Sequence, residues 1–80
     1  MRVAVRLFAT LARYRDGAAS GVPFDVDLAD DATIGDLLSM LRVPPEEVHL
    51  TIVDGRIVHS IDHLLRGATR VGLFPPVGGG

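Results

Sequence analysis

Cysteine is absent from this sequence of 80 residues, which excludes a disulfide framework, a Cys-based zinc site and a thiol nucleophile. Lysine is absent too: all eight basic residues are arginines, at positions 2, 6, 13, 15, 42, 56, 66 and 70. No apolar run approaches the roughly 18–20 residues that a membrane-spanning helix needs. Ten acidic residues against eight basic ones leave a net charge of −2. That balance argues against a general nucleic-acid binder, which would carry a strongly basic patch. A cysteine-free chain without a signal peptide suits the reducing cytoplasm, so the expectation is a cytoplasmic protein with neither nucleic acid nor membrane as partner. Eighty residues make one domain, and 48% hydrophobic content is ample for its core.

The common catalytic constellations are also missing. His49, His59 and His63 show no H-E-x-x-H or H-x-E spacing, so no metal site is expected. Ser20, Ser39 and Ser60 lack the G-x-S-x-G elbow of a serine nucleophile. The glycines fit neither G-x-G-x-x-G nor a P-loop. The chain does not read as an autonomous enzyme.

What is present is a sequence of short elements. Residues 2–8 alternate with period two, with Val3, Val5 and Leu7 facing a core and Arg2, Ala4, Arg6 and Phe8 facing away. Residues 9–15 suit a short helical turn, and the small polar stretch 16–21 reads as a loop. Residues 22–28 alternate again, placing Val22, Phe24, Val26 and Leu28 on one face, with Pro23 near an edge-strand start. Thr33 with Asp36 resembles a capping box, and Ile34, Leu37, Leu38 and Leu41 form the apolar stripe of a helix that Pro44-Pro45 is expected to end. Val48, Leu50 and Ile52 lead to Asp54-Gly55, a type I′ signal, then Arg56-Ile57-Val58. After a loop over residues 59–69, Arg70–Phe74 forms the last strand. The order strand, strand, helix, strand, short strand, strand predicts an α+β fold, a β-grasp: a mixed sheet of four to five strands with one main helix on one face.

The sequence closes on Phe74-Pro75-Pro76-Val77-Gly78-Gly79-Gly80. At ordinary glycine usage of about 7%, three terminal glycines arise in roughly one chain in three thousand. Pro75-Pro76 stiffens the exit from the last strand, and the glycines give mobility and minimal cross-section. Six extended residues reach about 20 Å, enough to deliver a carboxylate into another protein's active site. The expected division is a domain over residues 1–77 and a flexible reactive tail over 78–80.

The strand Val3–Phe8 with Ala9-Thr10-Leu11, the capped helix Thr33–Leu41 and the ending F-P-P-V-G-G-G together resemble the MoaD/ThiS family of ubiquitin-like sulfur carriers. The likeness is greatest to the small subunits of molybdopterin synthase, which typically end in F-P-P-V-x-G-G. The resemblance implies that an E1-like enzyme uses ATP to adenylate the Gly80 carboxylate and that sulfur transfer makes it a thiocarboxylate. The tail then donates that sulfur within the molybdopterin synthase large subunit. No bound cofactor is implied, and ATP belongs to the activating enzyme. Gly78 and Gly79 would give the tail access. The resemblance further implies a partner-binding patch of Phe8, Val58 and Phe74, flanked by Arg6 and Arg70 and leading into Pro75 and Pro76. The V-G-G-G ending also occurs among thiamine-type carriers, and a protein modifier using the same terminus is the remaining alternative. In any of these roles, a chain without lysine or cysteine has no such side chain of its own to consume an activated acyl group.

Overall fold

The computed structural model describes residues 1–17, 19–68 and 70–76. The first alternating stretch becomes β1 (Arg2–Leu7), with Val3, Val5 and Leu7 fully buried. A 3₁₀ turn over Ala9–Tyr14 sends Leu11 into the core, and β2 (Phe24–Asp27) returns antiparallel to β1. Helix α1 (Ile34–Leu41) and a second 3₁₀ turn at Pro45–Glu47 precede β3 (Leu50–Val53), β4 (Arg56–Val58) and β5 (Arg70–Phe74). The sheet order is β2-β1-β5-β3-β4, with β1 and β5 parallel and the other pairs antiparallel. That is the expected α+β β-grasp with five strands. Its core joins Ile34, Leu37 and Leu38 of α1 to Val3, Val5, Leu7, Val53, Val71 and Leu73 of the sheet. The opposite face carries no helix.

The helix start follows its local code. Thr33 Oγ1 accepts from the Asp36 amide at 3.1 Å, and the Asp36 carboxylate accepts from the Thr33 amide at 2.9 Å. Two further amides at this end, which an isolated helix leaves unpaired, donate to the loop after β4: Ile34 to the His63 carbonyl and Gly35 to the Ile61 carbonyl. The loop thereby does structural work that its composition hid. Leu65 is fully buried, and its amide bonds the Ala32 carbonyl at 2.9 Å.

Three local expectations are corrected. The helix ends before the prolines: Arg42 takes the left-handed conformation at φ 60°, and its N–H and that of Val43 close onto Leu38 and Ser39 carbonyls. Pro44 and Pro45 instead start the next 3₁₀ turn, where a missing N–H costs nothing. Val22 does not join the face of Phe24, Val26 and Leu28. Its amide bonds the Ala19 carbonyl in a turn, and its side chain is 53% exposed. In β3 the core takes Thr51 and Val53, while Leu50 and Ile52 turn to the open face.

The two 3₁₀ turns are tied by Glu47, which accepts from Arg13 at 2.6 Å and from the Tyr14 hydroxyl at 2.7 Å. The Tyr14 oxygen and then Glu47 raise the pKa of the Arg13 guanidinium above its ordinary value, so this cation stays charged wherever the protein is folded.

Candidate docking face and carrier end

The open face of the sheet is where the chemistry-bearing candidates meet. Its centre is a pair of nearly parallel rings: Phe8 and Phe74 lie 4.1 Å apart between centroids at an angle of 8°. The parallel register of β1 with β5, Leu7 opposite Leu73, puts the two following residues side by side. Phe8 continues this ladder by donating to the Leu73 carbonyl at 3.1 Å. Immediately afterwards Ala9 takes a left-handed conformation, φ 51°, and its amide donates to Ser20 Oγ at 2.8 Å. The chain is thus turned off the sheet directly behind the Phe8 ring.

Two glycines make room for the rings. A Cβ on Gly72 would stand 3.3 Å from Phe74 and 3.4 Å from Phe8. A Cβ on Gly21 would stand 3.2 Å from Phe8, and Gly21 holds φ +77°, a conformation that L side chains avoid. Around the stack lies a depression of about 250 Å³ that Ile52, Arg6, Arg70, Asp54 and Gly55 complete. Exposed aromatics beside arginine are the residue types that anchor protein interfaces.

Of the expected patch, Phe8, Phe74, Arg6 and Arg70 are brought together. Val58 is not. The two-residue turn sets Thr51 opposite Val58 and Ile52 opposite Ile57. Val58 therefore shares the face of buried Thr51 and packs against the core, while Ile57 sits on the Phe74 side, 56% exposed. Ile57, Ile52 and Gly72 were missed in the sequence reading. Counting outward from Asp54-Gly55 would have found Ile57, because a tight hairpin pairs residues symmetrically about its turn. That turn has the type I′ signs, with φ 48° at Asp54 and 84° at Gly55.

Electrostatically the rim is cationic. Among the described residues, no carboxylate lies within ion-pairing distance of Arg6 or Arg70. The Asp54 carboxylate accepts from the Arg70 backbone amide at 3.0 Å. At the other end of β5, Phe74 hands the chain to half-buried Pro75 and exposed Pro76. Gly78, Gly79 and Gly80, together with the expected boundary at Val77, lie outside the described residues. Among the described residues no helix is long and apolar enough to cross a membrane.

This topology and open face define a ubiquitin-like β-grasp protein of the carrier type. The chain belongs to the ThiS family, whose model matches residues 5–80. Similar solved structures include SAMP1 from Haloferax volcanii, 26% identical with a TM-score of 0.68 over 100% of both chains. A putative molybdopterin converting factor, subunit 1, from Pyrococcus furiosus is 28% identical with a TM-score of 0.65, over 96% of this chain and 99% of that one. The Haloferax volcanii HVO 2177 protein is 28% identical with a TM-score of 0.67, over 100% of this chain and 87% of that one. A search of curated proteins finds no match. Proteins of this family are small carriers and not enzymes themselves.

Proposed function

We propose that this chain is a sulfur carrier whose Gly80 carboxylate is adenylated and converted to a thiocarboxylate, supplying sulfur for molybdopterin synthesis. The observation that carries the reading is positional. Phe74 is at once half of the aromatic stack and the last residue of β5. A partner gripping the open face therefore holds the root of F-P-P-V-G-G-G, and the tail's reach of about 20 Å is measured from that grip. The likeness to a putative molybdopterin converting factor subunit supports the molybdopterin branch and a partner of the large-subunit kind.

The chemistry balances without a catalytic group on this chain. A Gly80 carboxylate oxygen attacks the α-phosphorus of ATP within an E1-like enzyme, forming the acyl adenylate and releasing pyrophosphate. A sulfur nucleophile then attacks the activated carbonyl, the carbon–oxygen bond to AMP breaks, and resolution of the sulfur donor leaves –C(O)S⁻. Activation turns a poor electrophile into a good one, and the partners provide the catalysis.

The likeness to SAMP1 over the whole chain favours a second reading, a protein modifier joined through Gly80 to amines of other proteins. Intact mass after incubation with ATP, a sulfur donor and the host's E1-like enzyme separates the two. A gain of about 16 Da, sulfur for oxygen at the acyl carbon, supports the carrier. Higher-mass conjugates support the modifier. Deleting Gly80 should abolish either change while leaving the fold intact. Sulfur transfer by the truncated chain would overturn both.

A further inference from the structure

The arginines are unevenly partnered. Arg2 pairs with Asp27 and Arg13 with Glu47, while Arg15 lies 4.1 Å above the Phe24 ring. Four others gather about the Asp54–Gly55 turn with no carboxylate within ion-pairing distance among the described residues: Arg6, Arg70, Arg56 and Arg66. They lie on two sides of it. Arg6 and Arg70 rim the aromatic depression on the open face. Arg56 sits opposite Val53, whose side chain points to the core, and so belongs to the other face. There Arg56 and Arg66 line a second groove of about 440 Å³, which also has Asp54 on its edge.

The acids are elsewhere. Asp25 and Asp27 lie on β2, the opposite edge of the sheet from β4, and Asp30 and Asp31 follow them. A chain of net charge −2 thus presents one cationic edge. Four guanidinium groups around one turn repel one another, and a carboxylate-bearing ligand relieves that repulsion with paired hydrogen bonds. Both grooves have apolar floors: the Phe8–Phe74 stack and Ile52 in one, Val53, Val58 and the half-exposed Leu64 in the other. An inorganic anion or a phosphate backbone has no use for those floors. A peptide with alternating acidic and apolar side chains fits both features.

We propose that the Asp54–Gly55 hairpin end is a saddle that docks an acidic, partly apolar segment of a protein partner, gripped by Arg6 and Arg70 on one side and Arg56 and Arg66 on the other. The Arg6–Arg70 half rests on the docking reading above; the Arg56–Arg66 half does not. No activation of Gly80 is needed for its test, so failure of the carrier chemistry and failure of the saddle are separate results.

The test is a titration of the ¹⁵N-labelled full chain, at about 50 mM salt where surface charge is weakly screened, with an acetylated octapeptide EELEELEE. Amide shifts are expected over 52–58, 63–68 and 70–72, with affinity falling several-fold at about 200 mM salt. The double variant R56E/R66E should lose the 63–68 response and about tenfold in affinity. Both positions are exposed, and R56Q/R66Q serves if the charge reversal disturbs the spectrum. Equal binding of the neutral peptide QQLQQLQQ, tighter binding of oligo(dT), or no shifts at millimolar peptide would each overturn the proposal. So would a response confined to the Arg6–Arg70 side.

Discussion

Gly21 offers a way to move the aromatic stack without touching either ring. Its φ of +77° puts an alanine there in the left-handed region, and the new Cβ would stand 3.2 Å from the Phe8 ring. The backbone cost is about 1–2 kcal/mol. It is offset by about 0.4–1 kcal/mol, because alanine lowers the entropy of the unfolded chain. Gly17 isolates this part of the effect: its φ is +76°, but nothing lies within 4 Å of its added Cβ. Gly17→Ala should therefore cost about 1 kcal/mol, or about 4–8 °C in Tm for a domain of this size. Gly21→Ala adds the displacement of Phe8, and overpacking of this kind costs about 1–3 kcal/mol more. Thermal and urea unfolding followed by far-ultraviolet circular dichroism compares the two variants. The ring resonances of Phe8 and Phe74 report whether the stack shifts. Equal losses for the two variants, with ring resonances of Gly21→Ala unmoved, would refute the view that Gly21 shapes the docking face.

Two further substitutions test the frame beneath that face. Leu65→Ala, at a fully buried position in the loop after β4, should cost about 2–5 kcal/mol by leaving a cavity. Against a total stability of roughly 4–12 kcal/mol for a chain this long, the midpoint of urea unfolding should fall sharply, and a shift typical of surface sites would show that the loop is not part of the core. Thr33→Ala removes one half of the reciprocal cap with Asp36 and should cost about 1 kcal/mol. Asp36→Ala should match it within a few tenths, because each change disables the same pair of bonds, and a double-mutant cycle should show strong non-additivity.

The elements with a strong local code were legible from residue order. Period-two alternation placed Val3, Val5 and Leu7 inward, the Thr33–Asp36 cap started the helix where expected, and Asp54-Gly55 made the tight turn. The elements read less well were those whose environment comes from elsewhere in the chain. Nothing near Leu65 signals burial; it is buried because its loop passes under the helix start and satisfies the amides of Ile34 and Gly35. The helix stop was assigned to Pro44-Pro45 because proline is an obvious breaker, whereas the tertiary frame ended it earlier through a left-handed Arg42.

The candidate site divides along the same line. Its carrier end, F-P-P-V-G-G-G, is written in consecutive residues and needs no folding to be recognised. The neighbours Phe8 and Phe74 are 66 positions apart in the chain, and their meeting requires the parallel pairing of the first and last strands. Register likewise decided that Ile57 and not Val58 shares their face, since one step along a strand reverses the side to which a residue points. The absence of lysine is a property of composition alone. The gathering of four arginines about one turn is not: β3–β4 pairing and the return of the 59–68 loop bring Arg56 and Arg66 to the hairpin that Arg6 and Arg70 approach from the other face. Sequence order determined the elements and the tail, because those depend on neighbours along the chain. Only the tertiary structure decided which side chains share a surface, because strand pairing joins residues that the chain keeps far apart.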